Sequence, residues 1–105
     1  MRQVQTVIRV ATRGRSLYEF TKVVNQWLHA EAVSMGLLTL FCQHTSASLT
    51  IQENADPDVQ HDLDLFFQKL VPEGVSGYRH VMEGPDDMPA HIKGALTDVS
   101  LTIPV

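Results

Sequence analysis

The stretch Leu37-Leu38-Thr39-Leu40-Phe41-Cys42 is a short and almost continuous apolar run. Such a run is typical of a β-strand that is buried on both faces. A second segment, residues 47–52, alternates small or apolar residues with polar ones, as a half-buried strand does. Because the connection between the two segments is short, we expect them to form an antiparallel pair.

Alternation of the same kind predicts two more strands, at residues 4–10 and 99–105. Two helices are predicted between them. Ser16 and Glu19 have the spacing of a capping box, and an apolar stripe at helical intervals follows up to Leu28, with the helix ending near Gly36. Asp56 and Pro57 supply an N-cap and a first-turn proline for a second helix, which ends at residues 71–74.

The order of these elements, β-α-β-β-α-loop-β, predicts an α+β fold. Residues 74–93 are expected to be mostly irregular, with one helical turn from Pro89. With 105 residues and 44% hydrophobic content, we expect residues 1–105 to form a single domain.

Composition limits the classes of partner. The net charge is −4 and the eight basic residues are dispersed, which argues against general binding of nucleic acid. No run is long and apolar enough for a secretion signal or a membrane span. The single cysteine, Cys42, excludes an internal disulfide and is typical of a reducing compartment. We therefore expect a cytoplasmic protein that can still bind a small phosphorylated molecule.

Residues 78–93 are dense in ionisable groups, with two histidines, three carboxylates and a lysine in sixteen positions. Imidazole and carboxylate together are ligands for zinc, manganese or nickel. The alternative is a solvated loop between two strands. Met82, Met88 and Ile92 interrupt the polar residues, which favours an ordered and partly buried segment.

Of the five histidines, His29 and His61 are expected on helix surfaces. The other three, His44, His80 and His91, lie at a strand end or in residues 78–93, where binding groups concentrate. Three imidazoles match the number of protein ligands in an open metal site. The nearby carboxylates are candidate ligands, orienting partners or general bases, and they are Glu53, Glu83, Asp86 and Asp87.

His44 is followed by three hydroxyl side chains, Thr45, Ser46 and Ser48. A base and nucleophile pair is a weak interpretation, since successive strand residues point in different directions. Hydroxyls and turn amides that hold an anion beside the imidazole fit better, and an ordinary hairpin turn fits equally well. Lys93 is either an anion-binding charge or a surface lysine.

Three motifs closely resemble the YjbQ family, also called UPF0047, over residues 6–105. They are residues 44–49 (HTSASL), 52–56 (QENAD) and 83–93 (EGPDDMPAHIK). The resemblance implies a small α+β fold, in which a mixed or antiparallel sheet packs with two helices, and assembly as a homotrimer. Family members usually continue through a glycine-rich turn into a further strand, which this sequence lacks.

The resemblance also implies an activity, that of a secondary thiamine-phosphate synthase. In this reaction a hydroxymethylpyrimidine diphosphate joins a thiazole phosphate and pyrophosphate is released. The resemblance further implies a divalent metal cofactor (zinc, manganese, nickel or magnesium) at the motif histidines. The assigned roles are metal ligation by His44, His80 and His91; catalysis by Glu53, Asp87 and Lys93; and substrate binding by Thr45, Ser46, Ser48 and Asn54. The alternatives are a non-catalytic trimer that binds a metal or an anion, and a phosphate-ester hydrolase.

Overall fold

Three helices and one two-stranded sheet make up the regular structure of the computed structural model, which describes all 105 residues. In chain order they are α1 (Thr21–Ala30), β1 (Leu37–Phe41), α2 (Pro57–Leu70), α3 (Asp87–Leu96) and β2 (Ser100–Pro104). The α+β class is confirmed, with three helices where two were predicted. The residues group into two compact units, 1–38 with 103–105, and 39–102.

The sheet pairs β1 with β2, which are far apart in sequence. In the second unit the amide of Cys42 donates to the carbonyl of Val99 at 2.8 Å, and the hydroxyls of Thr39 and Thr102 lie 3.4 Å apart. The pairing is antiparallel. Burial alternates along both strands, so the prediction that residues 37–42 are buried on both faces was wrong: Phe41 is 66% exposed.

Two predicted strands are absent. Residues 4–10 have no strand partner, and without one the backbone groups of an extended segment are left to water. Residues 47–52 form only a single antiparallel bridge, in which the amide of Leu49 donates to the carbonyl of Asp98 at 2.6 Å. Residues 47–52 thus make their one bridge to Asp98, just before β2, and none to β1, so the predicted hairpin does not form.

In the first unit, α1 begins five residues later than the predicted cap at Ser16, and it has no side-chain cap. The phenol of Tyr18 explains the delay. It accepts from the amide of Arg13 at 2.7 Å and donates to the carbonyl of Gly14 at 2.8 Å, which holds the preceding residues in a turn. Val24 on α1 is buried, as its place in the apolar stripe predicted.

In the second unit, α2 begins where the sequence predicted. The carboxylate of Asp56 accepts from the amide of Asp58 at 2.9 Å, and Pro57 occupies the first turn. This side-chain bond satisfies one of the amides that a helix start leaves unpaired. Val71, which is 5% exposed, follows the last residue of α2 and anchors this end of the helix.

The third helix, α3, is a full ten-residue helix where only one turn from Pro89 was predicted. Pro89 lies in the first turn, where a missing amide hydrogen costs no helical bond, and less than 2% of it is exposed. Gly84 just before the helix has a φ of 105°, which an L-side chain rarely adopts. The glycine and prolines that suggested an irregular loop therefore form a turn and a helix start.

Candidate metal centre

The first turn of α3 brings two ionisable side chains together. Asp87 and His91 are four residues apart, so they lie on the same face of the helix. The Nε2 atom of His91 is 3.1 Å from Oδ2 of Asp87. The preceding loop adds His80, whose Nε2 lies 2.6 Å from the same oxygen. We call His80, Asp87 and His91 the His–Asp cluster.

The His–Asp cluster is partly shielded from solvent. The side chain of Asp87 is 18% exposed, and those of His91 and His80 are 31% and 43% exposed. The two imidazole rings meet edge to face, with centroids 5.2 Å apart. A fourth group, the carboxylate of Glu83, lies 3.5 Å from Nε2 of His80 at the open side. The cluster is therefore reachable by a small ion or ligand.

The hydrogen bond between His80 and Asp87 shifts the pKa values of the two groups in opposite directions. The bond to Asp87 raises the pKa of His80 above its ordinary value, with smaller contributions from the charges of Asp87 and Glu83. The same bond lowers the pKa of Asp87 below its ordinary value. Asp87 is thus a carboxylate at neutral pH, which is the state that a cation requires.

The donor atoms of the His–Asp cluster fit a divalent metal. One ligand atom from each residue lies within 4.8 Å of the other two. For zinc bonds of about 2.0–2.1 Å, donors of a tetrahedral site are about 3.3 Å apart. The distance between any two of these ligand atoms therefore has to shorten by at most about 1.5 Å, and the side chains are partly exposed and can move. Two histidine nitrogens with one carboxylate oxygen are a common donor set of catalytic zinc sites. These three residues are therefore the ones that would hold the ion.

The same face of α3 continues to Gly94, one turn beyond His91. A Cβ atom placed at Gly94 lies 3.4 Å from the carbonyl oxygen of Thr45 and 3.8 Å from that of Ala47. Residues 45–47 therefore lie against α3 at this position. This contact places residues 45–47 against α3 one helical turn beyond His91.

His44 itself makes a local contact with Ser46. The amide of Ser46 donates to Nδ1 of His44 at 3.0 Å, and the Ser46 hydroxyl oxygen is 2.9 Å from the same nitrogen. With Nδ1 accepting, the neutral ring carries its proton on Nε2. A metal on Nε2 would move the ring proton to Nδ1, where it would oppose the amide hydrogen of Ser46, so in this geometry the ring is held as an Nε2–H donor.

The structure therefore differs from the prediction that three histidines converge. His80 and His91 come together, and their third neighbour is Asp87. The metal-ligand role of His44 stays a prediction, and in this geometry the Nε2–H of that exposed residue suits an anionic oxygen. Asp87 was predicted to be catalytic, and its position between the two rings makes it a ligand or an orienting group.

Ser48 and Thr97 join the same segment to the end of α3. The Thr97 hydroxyl is 2.7 Å from the carbonyl of Lys93 and 2.6 Å from the Ser48 hydroxyl. A carbonyl only accepts, so Thr97 donates to Lys93 and Ser48 donates to Thr97. Ser48 thus has a structural contact, and its substrate-binding role stays a prediction. Thr97 is a residue that the sequence analysis missed.

The remaining predicted site residues lie apart from the cluster. The amide side chain of Gln60 donates to Oδ1 of Asn54, and Glu53 is exposed, with its own amide donating to Gln52. Neither carboxylate nor amide belongs to the His–Asp cluster. Lys93 is two residues from His91, which turns its side chain about 200° around the helix from that ring. Its catalytic role stays a prediction.

The sequence contains short-range signals for the Asp87–His91 pair and for the close contact at Gly94. An acidic residue four positions before a histidine, as in Asp87 and His91, indicates a shared helix face once residues 87–96 are known to be helical. Gly94 inside a helix indicates a close backbone approach. Neither signal identifies the partner, which in this fold comes from residues 44–48.

Comparison with known proteins provides independent information. The model of the family "UPF0047 protein YjbQ-like" matches residues 6–105. A UPF0047 protein of Synechocystis sp. is 53% identical over 104 residues, which are 99% of this chain and 71% of the relative. The UPF0047 protein YjbQ of Escherichia coli O157:H7 is 43% identical over 96% of this chain and 73% of its own length.

Solved structures resemble the fold as well. An uncharacterised conserved protein of the same family from Clostridium acetobutylicum has a TM-score of 0.70 and 39% identity, and the match covers 81% of this chain and 63% of that one. A conserved hypothetical protein of Thermus thermophilus has a TM-score of 0.67 and 37% identity, over 77% of this chain and 62% of that one. The chain thus spans less than two thirds of the solved relatives it matches. No helix in the structure has the length and apolar character needed to cross a membrane.

Proposed function

The chain belongs to the UPF0047 family of YjbQ-like proteins, and from this premise we propose that it is a metal-dependent enzyme acting on a small phosphorylated substrate. The observation that carries the proposal is the His–Asp cluster, in which His80, Asp87 and His91 offer three donor atoms within 4.8 Å of one another. Surface ion pairs seldom bring two imidazoles to one carboxylate oxygen in a partly shielded position.

A bound divalent cation supplies Lewis-acid stabilisation of negative charge on phosphate oxygens. The protein groups have separate tasks. Without the cation, one oxygen of Asp87 accepts from both imidazoles and holds the two rings together. With the cation bound, Asp87 and one nitrogen of each ring would be its ligands, and each ring would carry its proton on the other nitrogen. The Nε2–H of His44 is available to an anionic oxygen on the same side of α3, because residues 45–47 contact Gly94.

The specific reaction that we propose is a thiamine-phosphate synthase-like transfer. A carbon–nitrogen bond forms between a hydroxymethylpyrimidine diphosphate and a thiazole phosphate, the carbon–oxygen bond to the diphosphate breaks, and pyrophosphate leaves. Negative charge grows on the leaving diphosphate as the bond breaks, so donors fixed beside it stabilise the transition state more than the substrate. The His–Asp cluster and His44 are suited to that task.

Steady-state turnover tests the proposal. The protein, supplied with zinc, manganese or magnesium, is given the paired pyrimidine and thiazole substrates and, separately, a panel of phosphate esters. We expect pyrophosphate release from the pair and its loss in Asp87→Asn. The matched control is Asp86→Asn, since the neighbouring carboxylate is exposed and outside the cluster.

Other outcomes identify the alternatives. Hydrolysis of esters without coupling of the pair indicates a phosphate-ester hydrolase, and metal binding with no turnover indicates a non-catalytic site. Equal activity in Asp87→Asn and Asp86→Asn contradicts any role for the cluster in catalysis.

We also propose that the chain assembles as a homotrimer. Support comes from large apolar side chains that remain exposed in residues 39–102, including Phe41, Ile51 at 63% and Phe66 at 56%. Aromatic side chains are enriched in the buried centre of subunit interfaces. Sedimentation equilibrium at micromolar concentration is expected to give the mass of three chains, and a stable monomer contradicts the proposal.

A further inference from the structure

A cavity adjoins the His–Asp cluster and shares one residue with it. Its volume is about 290 Å³, and His80 forms part of its wall. The other main lining residues are apolar or aromatic, and they are Val75, Tyr78, Val81, Pro85, Met88 and Pro89. Residues 87–89 belong to the first turn of α3, so Asp87 of the cluster directly precedes two residues of the cavity wall.

The wall is built to keep its shape. Pro89 is almost completely buried, and both prolines have a fixed φ angle. Gly74 and Gly84, at φ angles of 70° and 105°, also line the cavity, in conformations that other residues rarely adopt. The two prolines therefore limit the backbone freedom that the wall can lose when a ligand enters.

The size and chemistry of the cavity select a class of ligand. Its volume is at the lower end of the range for small-molecule sites, about 300–1,000 Å³. One small ring fits that volume better than two joined ring systems. His80 is the only ionisable imidazole, carboxylate or amine among the lining residues, so the buried part of the ligand is uncharged. Tyr78 and Met88 are suited to the faces and edges of an aromatic ring.

We propose that this cavity is the subsite for one uncharged heteroaromatic ring of the substrate, with the ring's phosphorylated arm directed past His80 to the His–Asp cluster. The identity of the arm rests on the proposed function, whereas ring binding depends only on the cavity. In the synthase reaction the cavity holds one of the two rings, and the second reactant approaches from the open side of the cluster.

Methyl NMR on the full chain with 13C-labelled methionine tests ring binding, with 4-methylthiazole and 4-amino-2-methylpyrimidine as probes. Met88 lines the cavity, and Met82, which is 94% exposed, is an internal control. We expect the Met88 methyl signal to shift saturably with at least one probe, at a dissociation constant of about 1–10 mM for a ligand of so few atoms. The Met82 signal is expected to stay in place.

A cavity-filling variant sharpens the test. Val75→Phe is expected to weaken probe binding at least tenfold, whereas Val23→Phe, an equally large change on the exposed surface of α1, leaves it unchanged. An unmoved Met88 signal in the wild-type protein, or equal shifts of Met88 and Met82, overturns the proposal even if Val75→Phe fails to fold. Equal binding by folded Val75→Phe overturns it as well.

Repeating the titration with EDTA and in His91→Ala separates this inference from the proposed function. We expect ring binding to persist in both, because the cavity does not include His91. With zinc added, the wild-type protein is expected to bind the phosphorylated thiazole at least tenfold more tightly than the bare ring. His91→Ala is expected to show no such difference. Ring binding without this gain overturns the assignment of the arm, and metal binding without ring binding overturns the subsite while the metal centre stands.

Discussion

Replacing Gly94 tests whether residues 45–47 lie on α3, one helical turn beyond His91 of the His–Asp cluster. A Cβ at this position has 3.4 Å to the carbonyl oxygen of Thr45 and 3.8 Å to that of Ala47. The distances are ordinary van der Waals contacts, so Gly94→Ala fits. Because alanine restricts the unfolded chain and favours the helix, we expect a gain of about 0.5–1 kcal/mol in the free energy of unfolding.

Gly94→Val places two methyl groups beyond the Cβ of the alanine variant, in a space that the carbonyl oxygens of Thr45 and Ala47 already limit. Overpacking of this kind typically costs about 1–3 kcal/mol. The control is Ala95→Val on the exposed side of the same helix, where only helix propensity changes, by at most about 0.7 kcal/mol. Urea unfolding of Gly94→Ala, Gly94→Val and Ala95→Val measures both alanine-to-valine steps. If the step at 94 costs no more than the step at 95, residues 45–47 do not lie on α3 in solution.

Three further predictions concern the cap of α2, the cluster and Lys93. Asp56→Ala, which removes the bond to the amide of Asp58, is expected to lower the free energy of unfolding by about 1 kcal/mol in urea titrations, whereas an unchanged midpoint contradicts the cap. The raised pKa of His80 stabilises the fold below pH 6.5, and this contribution is lost as pH rises through the raised value. The lowered pKa of Asp87 stabilises it above pH 3.8, and that contribution is lost as pH falls through the lowered value. In metal-free protein, the urea midpoints of wild type and His80→Gln are therefore expected to differ slightly, and most between pH 3.8 and 6.5. A difference that grows above pH 6.5 contradicts the His80–Asp87 pairing. Lys93→Met is expected to leave metal affinity unchanged and to slow turnover less than tenfold, because its side chain turns away from His91; a hundredfold loss restores the catalytic role that the sequence suggested.

The parts of the fold that depend on local sequence were predictable. Asp56 and Pro57 determine the start of α2 through bonds within four residues, and the apolar run at residues 37–42 and the alternation at residues 99–105 predicted the strands β1 and β2. The pairing of those strands was not predictable from proximity in the chain. The alternation at residues 4–10 and 47–52 satisfied the strand pattern, but a strand also requires a partner, which the pattern does not specify.

The candidate site divides in the same way. Residues 78–93 were identified as a site by their composition, and the helix periodicity of α3 places Asp87 and His91 on one face. The same periodicity separates Lys93 from them. His44 illustrates what composition lacks, since its role depends on which ring nitrogen accepts the amide of Ser46. Tautomer and direction are properties of the folded backbone, so residue types alone left them open.

Zinc titration of the metal-free protein by calorimetry, in wild type and three single variants, tests the metal centre most directly. The proposal predicts one zinc ion per chain in the wild type and in His44→Ala, because His44 is outside the cluster. It predicts an affinity at least about a hundredfold lower in His80→Ala and His91→Ala, beyond the tenfold to hundredfold loss typical of removing an outer-shell partner of a metal ligand. No binding by the wild type, or the same loss in His44→Ala as in the other two variants, contradicts the assignment of His80, Asp87 and His91 as the metal ligands.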